Sequence, residues 1–224
     1  MIKNIVNLGD ASIYCDFGNN INKDTNLKVI KFFKTLQTKK FKEITNLSPS
    51  YNKLIITFDL NETSFNELKE KLLNVDIDYK LIISSQKIKI PICCDNEYAL
   101  DIERLENKLK IKKKNIINYF VDKTYYCYMT GFVAGMPFLG DINNSIRLNR
   151  LETPRVKVPQ GSVGLTEQFC NIYTFESPGG WNIIGKTPLK IFDTNNLRIP
   201  NLINPGDEVV FYEINKKEYK KFYG

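Results

Sequence analysis

The sequence predicts an α+β protein in two parts, an N-terminal two-layer α/β sandwich over residues 1–85 and a C-terminal β-barrel over residues 86–224. Three observations lead there. The first half alternates short apolar strands with two helix-period segments in the order β-β-α-β-β-α, which suits helices stacked on one face of a sheet. From Thr124 onward the texture changes to short strands punctuated by Gly and Pro, the pattern of a closed or nearly closed barrel. Between these, Ser84-Ser85-Gln86 is a polar break that reads as the boundary.

In the first half, Ile2–Val6 and Ser12–Phe17 read as strands around a Gly9-Asp10 turn. Leu27, Ile30, Phe33 and Leu36 recur with helical spacing over residues 24–38, with Asp24 or Thr25 able to cap the start. Phe41–Leu47 and Leu54–Leu60 read as strands joined by the Ser48-Pro49-Ser50-Tyr51-Asn52 turn. Ser64 followed by Glu67 is a capping box opening a second helix to about Leu73. The apolar Leu54-Ile55-Ile56 run is expected as an exposed stripe available to a partner.

In the second half, Lys87–Ile92 alternates as a strand, and short helices follow near residues 99–109 and 112–120. Further strands are expected at Tyr125–Phe132, Val156–Val158, Ser162–Leu165, Asn171–Phe175, Trp181–Ile184 and Glu208–Ile214.

Composition narrows the chemistry. With 224 residues and 42% hydrophobic residues, the chain can bury a real core. No apolar run is long enough to cross a bilayer, and the N-terminus lacks the layout of a secretion signal, so a cytoplasmic protein without membrane attachment is expected. The net charge of +7 arises from lysine clusters at 39–40, 110–114 and 216–221. They lack Gly, hold a single aromatic in Tyr219, and read as solvated faces, not as a nucleic-acid footprint. Five cysteines with no CxxC spacing, and no histidine at all, argue against a metal site and for reduced structural thiols. The missing histidine also removes the usual general base and leaves the catalytic residues unassigned.

Four segments stand out. They are Gly131-Phe132-Val133-Ala134-Gly135-Met136-Pro137-Phe138-Leu139-Gly140; Arg150-Leu151-Glu152-Thr153-Pro154-Arg155 leading to Val158-Pro159-Gln160-Gly161-Ser162-Val163-Gly164; Ile172-Tyr173 with Ser177-Pro178-Gly179-Gly180-Trp181-Asn182-Ile183-Ile184-Gly185-Lys186-Thr187; and Ile191-Phe192-Asp193 with Pro205-Gly206-Asp207. Singly, each has a plain structural explanation in turn chemistry or core packing. Together, in this order and spacing, they resemble the family of 5-oxoprolinase B subunits and KipI proteins, also called allophanate hydrolase subunit 1, most closely over residues 88–212. The polar positions depart from that family's pattern. Phe120 stands where the family has histidine, Asn149 replaces the proline before Arg150, and Phe169-Cys170 replaces Gln-Thr.

The resemblance implies that the barrel is cyclophilin-like. It also implies two partners, a KipA-like protein (the C subunit of such complexes) and an A subunit. With them the chain would cleave 5-oxo-L-proline to L-glutamate at the expense of ATP, which enters at the level of the complex. A related allophanate or urea amidolyase-type hydrolysis belongs to the same family. The alternative is a KipI-like regulator that inhibits a sensor histidine kinase. Within this frame Arg150 and Arg155 are candidate anion-holding forks, because guanidinium grips a carboxylate with two parallel hydrogen bonds. Gly161 and Ser162 are expected as the floor of the substrate pocket, with Phe132, Trp181, Gly179 and Gly180 near its walls.

Overall fold

A computed structural model describes residues 2–77 and 85–223. The chain divides into two compact units, Met1–Ser84 and Ser85–Gly224. Ser84, part of the expected boundary, lies outside the described residues.

In the first unit, β1 (Asn4–Asn7), β2 (Ser12–Asp16), β4 (Lys53–Phe58) and β3 (Ile44–Pro49) form an antiparallel sheet in the order β1-β2-β4-β3. Helices α1 (Lys23–Lys39) and α2 (Phe65–Leu73) cover it. Period-two alternation sends Ile13, Cys15, Leu54 and Ile56 to one face, where they meet Val29, Phe32, Leu36 and Leu68 of the helices. The expected stripe at 54–56 is therefore not exposed: Leu54 and Ile56 are fully buried under the helices, and only Ile55 points to the other face. The α2 capping box forms as expected, with Ser64 and Glu67 each satisfying the other's backbone N–H. The cap of α1 is Asn22, not Asp24 or Thr25. Its Oδ1 accepts from the Thr25 N–H at 2.9 Å, starting the helix earlier than the apolar period shows.

The second unit is built on a closed barrel in the order β10-β7-β6-β13-β5-β12-β9. Its strands are β5 (Lys87–Cys93), β6 (Thr124–Thr130), β7 (Pro137–Gly140), β9 (Ser162–Thr166), β10 (Phe169–Ile172), β12 (Asn182–Lys186) and β13 (Glu208–Ile214). Only β5 and β13 run parallel; the other pairs are antiparallel. A separate ribbon pairs β8 (Arg155–Val158) with β11 (Ser177–Gly179). Helices α3 (Ile102–Leu109) and α4 (Lys113–Val121) contribute Leu105, Ile116, Ile117 and Phe120 to the barrel core, and α5 (Lys216–Lys221) follows the last strand. Phe120 is fully buried, with its ring 4.8 Å from Phe211 and 5.2 Å from Tyr125. The residue standing at the family's histidine position is thus core packing here.

Strands β7 and β11 and helix α5 carry no signal that periodicity detects. The strand expected at 171–175 begins earlier, at Phe169, and ends at Ile172. Beyond it Tyr173 still donates its N–H to the Ser162 carbonyl, and Thr174 turns its hydroxyl to the Ala134 carbonyl. Among the described residues, no helix is long and apolar enough to cross a membrane. Among them, too, no group of three or more Cys, Asp or Glu is placed to hold a metal ion.

Candidate functional site

Residues from several loops and from β10 and β11 enclose a cavity of about 350 Å³ in the second unit. Phe132 and Met136 come from the β6–β7 connection, and Phe138 from β7. Arg150 and Pro154 come from the segment before β8, Asn171 from β10, Tyr173 just after it, and Pro178, Gly179, Gly180 and Trp181 from β11 and the turn that follows. The lining is largely apolar, and Arg150 is its one charged residue. Trp181 meets Phe138 edge to face, with ring centroids 5.6 Å apart. Phe132 stands 69% exposed with φ of +68°, a backbone conformation that side chains other than Gly rarely adopt.

Glycines give this site its close approaches. A Cβ on Gly179 would stand 2.1 Å from the Tyr173 hydroxyl oxygen, and one on Gly180 would stand 3.2 Å from Nε and Nη2 of Arg150. The Gly179-Gly180 pair therefore lets a phenol and a guanidinium lie directly against backbone. The Gly180 carbonyl accepts from the Leu151 N–H at 2.7 Å, which fixes the Arg150 segment to the turn. Among the described residues, Arg150 is paired with no carboxylate.

Burial pushes the Tyr173 phenol above its ordinary value. Hydrogen bonds from the Asn171 side chain and the Trp181 backbone N–H oppose this, as do the charges of Arg150 and Arg155, without cancelling it. Tyr173 is thus a neutral hydroxyl at physiological pH.

Five of the residues expected at the site, Phe132, Arg150, Gly179, Gly180 and Trp181, line this one cavity. Arg155 does not. It lies across the ribbon from Gly179, and its Nη2 donates to Asp101 Oδ1 at 2.6 Å. Gly161 and Ser162 do not form the floor either. The Gly161 N–H is donated to the Tyr173 carbonyl at 2.8 Å and the Ser162 N–H to the Pro159 carbonyl at 3.2 Å, so neither is free for an anion. Gly161 lines a different cavity, with Lys186, Thr187 and Tyr223, and Ser162 is buried.

Asn171 and Tyr173 line the cavity although neither is expected there; Tyr173 lies in the Ile172-Tyr173 motif segment, and Asn171 lies in none. The one signal in the sequence is an amide and a phenol closing an otherwise apolar strand in the Asn171-Ile172-Tyr173 segment. All five cysteines are buried free thiols outside the cavity lining.

Comparisons with known proteins agree on one grouping. Residues 3–202 match the family described as carboxyltransferase domain, subdomain C and D. The chain is 29% identical to the 5-oxoprolinase B subunit of Bacillus subtilis (strain 168), across 97% of this chain and 95% of that protein. It is 30% identical to the 5-oxoprolinase B subunit of Haemophilus influenzae, across 93% of this chain and 96% of that one. Among solved structures, TTHA0988 superimposes with a TM-score of 0.81 at 25% identity. That match covers 91% of this chain and 40% of TTHA0988, where the same architecture forms part of a longer polypeptide.

Proposed function

This chain belongs to the carboxyltransferase domain, subdomain C and D family, and from that premise we propose that it is the B subunit of an ATP-dependent 5-oxoprolinase assembly. Its cavity receives the carboxylate of 5-oxo-L-proline. The observation that carries this reading is the Arg150 guanidinium, which lines a small, largely apolar cavity and has no carboxylate partner among the described residues. A planar cation so placed suits a small organic anion, held by two charge-assisted hydrogen bonds. The names of the two bacterial relatives, matched over nearly their whole length, support the same substrate class.

The lining also supports dependence on partners. It contains no Asp, Glu, Lys or Cys, and the chain contains no histidine, so a general base for opening the lactam has to come from another chain. One guanidinium in about 350 Å³ does not fit a nucleoside triphosphate, and we place the ATP-binding groups in the A subunit or the KipA-like C subunit. The residues of this chain bind and orient; the partners supply phosphoryl transfer and proton transfer. A related amide substrate of the urea amidolyase type would use the same division of labour.

The second reading, a regulator that binds a sensor histidine kinase, draws on Phe132 and Val156, apolar side chains left 69% and 80% exposed. One experiment separates the two. The chain is co-expressed with the homologues of the A and C subunits from its genome, and the purified assembly is assayed for ATP-dependent glutamate release from 5-oxoproline. Release by the assembly and not by the isolated chain is expected. An intact assembly that releases no glutamate, or full activity from the isolated chain, overturns the proposal.

A further inference from the structure

Arg150 sits in a stretch without regular secondary structure, residues 147–151, yet its neighbours are tied down one after another. The Leu148 carbonyl accepts the Glu167 N–H at 2.9 Å and the Thr166 hydroxyl at 3.3 Å. The Asn149 carbonyl accepts from Asn182 Nδ2 at 3.2 Å, and the Leu151 N–H is donated to the Gly180 carbonyl at 2.7 Å. The backbone is therefore held on both sides of Arg150 by one short stretch, Gly180 to Asn182, and Gly180 also lies against the guanidinium itself.

Asn182 is the side chain that closes this grip. It is fully buried, and all of its hydrogen-bonding groups that the grip needs are engaged. Its Nδ2 donates to the Leu165 carbonyl at 3.1 Å as well as to Asn149, and its Oδ1 accepts from Arg104 Nη1 of α3. An amide set between two carbonyls on one side and a guanidinium on the other has one orientation, with the NH2 toward the carbonyls and the oxygen toward the cation. Neither Asn182 nor Arg104 lines the cavity.

We propose that Asn182 is a positioning residue for Arg150. With Arg104 orienting its amide, it holds the Asn149 carbonyl and so fixes the backbone from which the guanidinium reaches the cavity. The proposal rests on the reading of Arg150 as the anion-holding group and adds the device that keeps that group in place. A guanidinium on a free loop would have to be ordered each time a ligand binds, and the entropy lost would be subtracted from the affinity. A loop anchored in the folded chain has already lost that freedom.

The test is a double-mutant cycle on the co-purified assembly, titrated calorimetrically with 5-oxo-L-proline. Asn182→Asp keeps the size of the side chain and the oxygen facing Arg104, but turns a second oxygen toward the two carbonyls in place of the NH2. It is expected to weaken binding about three- to tenfold. In the Arg150→Ala background the same change has no further effect, since no guanidinium is left to place. Arg104→Met leaves Asn182 in place and removes its orienting donor, so it gives a smaller loss with the same dependence on Arg150; it carries the test if Asn182→Asp does not fold. Unchanged affinity in these variants, whatever their melting temperatures, overturns the proposal. So does an equal loss with and without Arg150, because a merely structural residue acts in both backgrounds. Amide hydrogen exchange adds a readout that needs no ligand. The Leu151 N–H should exchange about tenfold faster in Asn182→Asp, while the amides of β13, which pairs with neither β9 nor β12, keep the parent's protection. A parent assembly that binds no 5-oxo-L-proline refutes the substrate reading. Faster exchange at Leu151 then still supports the placing of Arg150 by Asn182, and unchanged exchange overturns it.

Discussion

The guanidinium of Arg155 is committed to Asp101, its Nη2 donating to Oδ1 at 2.6 Å across 54 residues of sequence. Asp101 Oδ2 accepts the Ile183 N–H at 2.7 Å, and the Asp101 N–H returns a bond to the Ile183 carbonyl at 2.9 Å. One carboxylate therefore joins the start of α3, the barrel strand β12 and the β8–β11 ribbon that walls the cavity. Asp101 is only 5% exposed, and the Nη1 of Arg155 is buried without a partner, so this ion pair holds position and does not bind ligand.

Removing the carboxylate alone leaves a part-buried guanidinium and a buried N–H unpaired. Asp101→Ala is expected to cost about 3 kcal/mol, a fall of about 6–12 °C in Tm for a protein of this size. The double change Asp101→Leu with Arg155→Met is expected to cost less than the sum of the single changes, since neither partner is left charged and alone. Thermal unfolding of the four proteins checks this. A melting temperature for Asp101→Ala equal to the parent's would show that the pair contributes nothing.

Arg150 is expected to behave in the opposite way. It is exposed and has no carboxylate partner among the described residues, so Arg150→Ala leaves the melting temperature unchanged. It weakens ligand binding by about 1.5–3 kcal/mol, roughly ten- to a hundredfold. Arg150→Lys recovers part of the loss, because an ammonium cannot make the planar two-bond contact. Titration of the assembly with 5-oxoproline, beside a thermal melt, reads both quantities.

The two neighbouring glycines should separate stability from binding. Gly179→Ala drives a Cβ to 2.1 Å from the buried Tyr173 oxygen, and a destabilisation of about 1–3 kcal/mol is expected together with loss of ligand binding. Gly180→Ala meets the movable end of Arg150 at 3.2 Å and the Leu151 carbonyl at 3.5 Å, an ordinary contact distance. It is expected to stay within about 0.5 kcal/mol of the parent in stability and to lower affinity alone. Denaturant unfolding and ligand titration of both variants form the test, and equal behaviour of the two would refute this account of the turn.

The thiols set an alkaline limit. Burial pushes Cys15 from an ordinary value near 9 up to about 12, and it raises Cys94, Cys127 and Cys170 as well. The folded chain keeps these protons where the unfolded chain releases them. Their contribution is complete below about pH 9 and is lost as pH rises from there towards 12. Buried Tyr125 and Tyr126, also raised by desolvation, act in the same direction over a higher range. The denaturation midpoint should fall steadily above pH 9. At pH 8 the native protein should resist an aromatic disulfide reagent that modifies all five cysteines once it is unfolded.

Much of the fold was legible in the order of residues. The Ser64–Glu67 capping box, the alternation Leu54, Ile56, Phe58 and the Gly/Pro punctuation after Thr124 each act over a few residues, so local pattern reveals them. The four-residue β7 and three-residue β11 escaped because such short strands exist only through the partners they pair with. Five of the candidate site residues, Phe132, Arg150, Gly179, Gly180 and Trp181, converge on one cavity, while Arg155, Gly161 and Ser162 lie outside it.

By itself the sequence determined the α+β class, the order of the longer elements, the absence of a histidine base and the family resemblance. All of these follow from residue identity and short-range spacing. Only the tertiary structure decided which polar groups are free. Arg150 and Arg155 are alike by spacing, yet folding brings Asp101 to Arg155 and, among the described residues, no carboxylate to Arg150. The Gly161 N–H resembles an anion donor until the Tyr173 carbonyl takes it. Whether a charge or a hydrogen-bonding group can serve a ligand depends on what already satisfies it, and in a closed barrel those partners come from strands and loops remote in the chain.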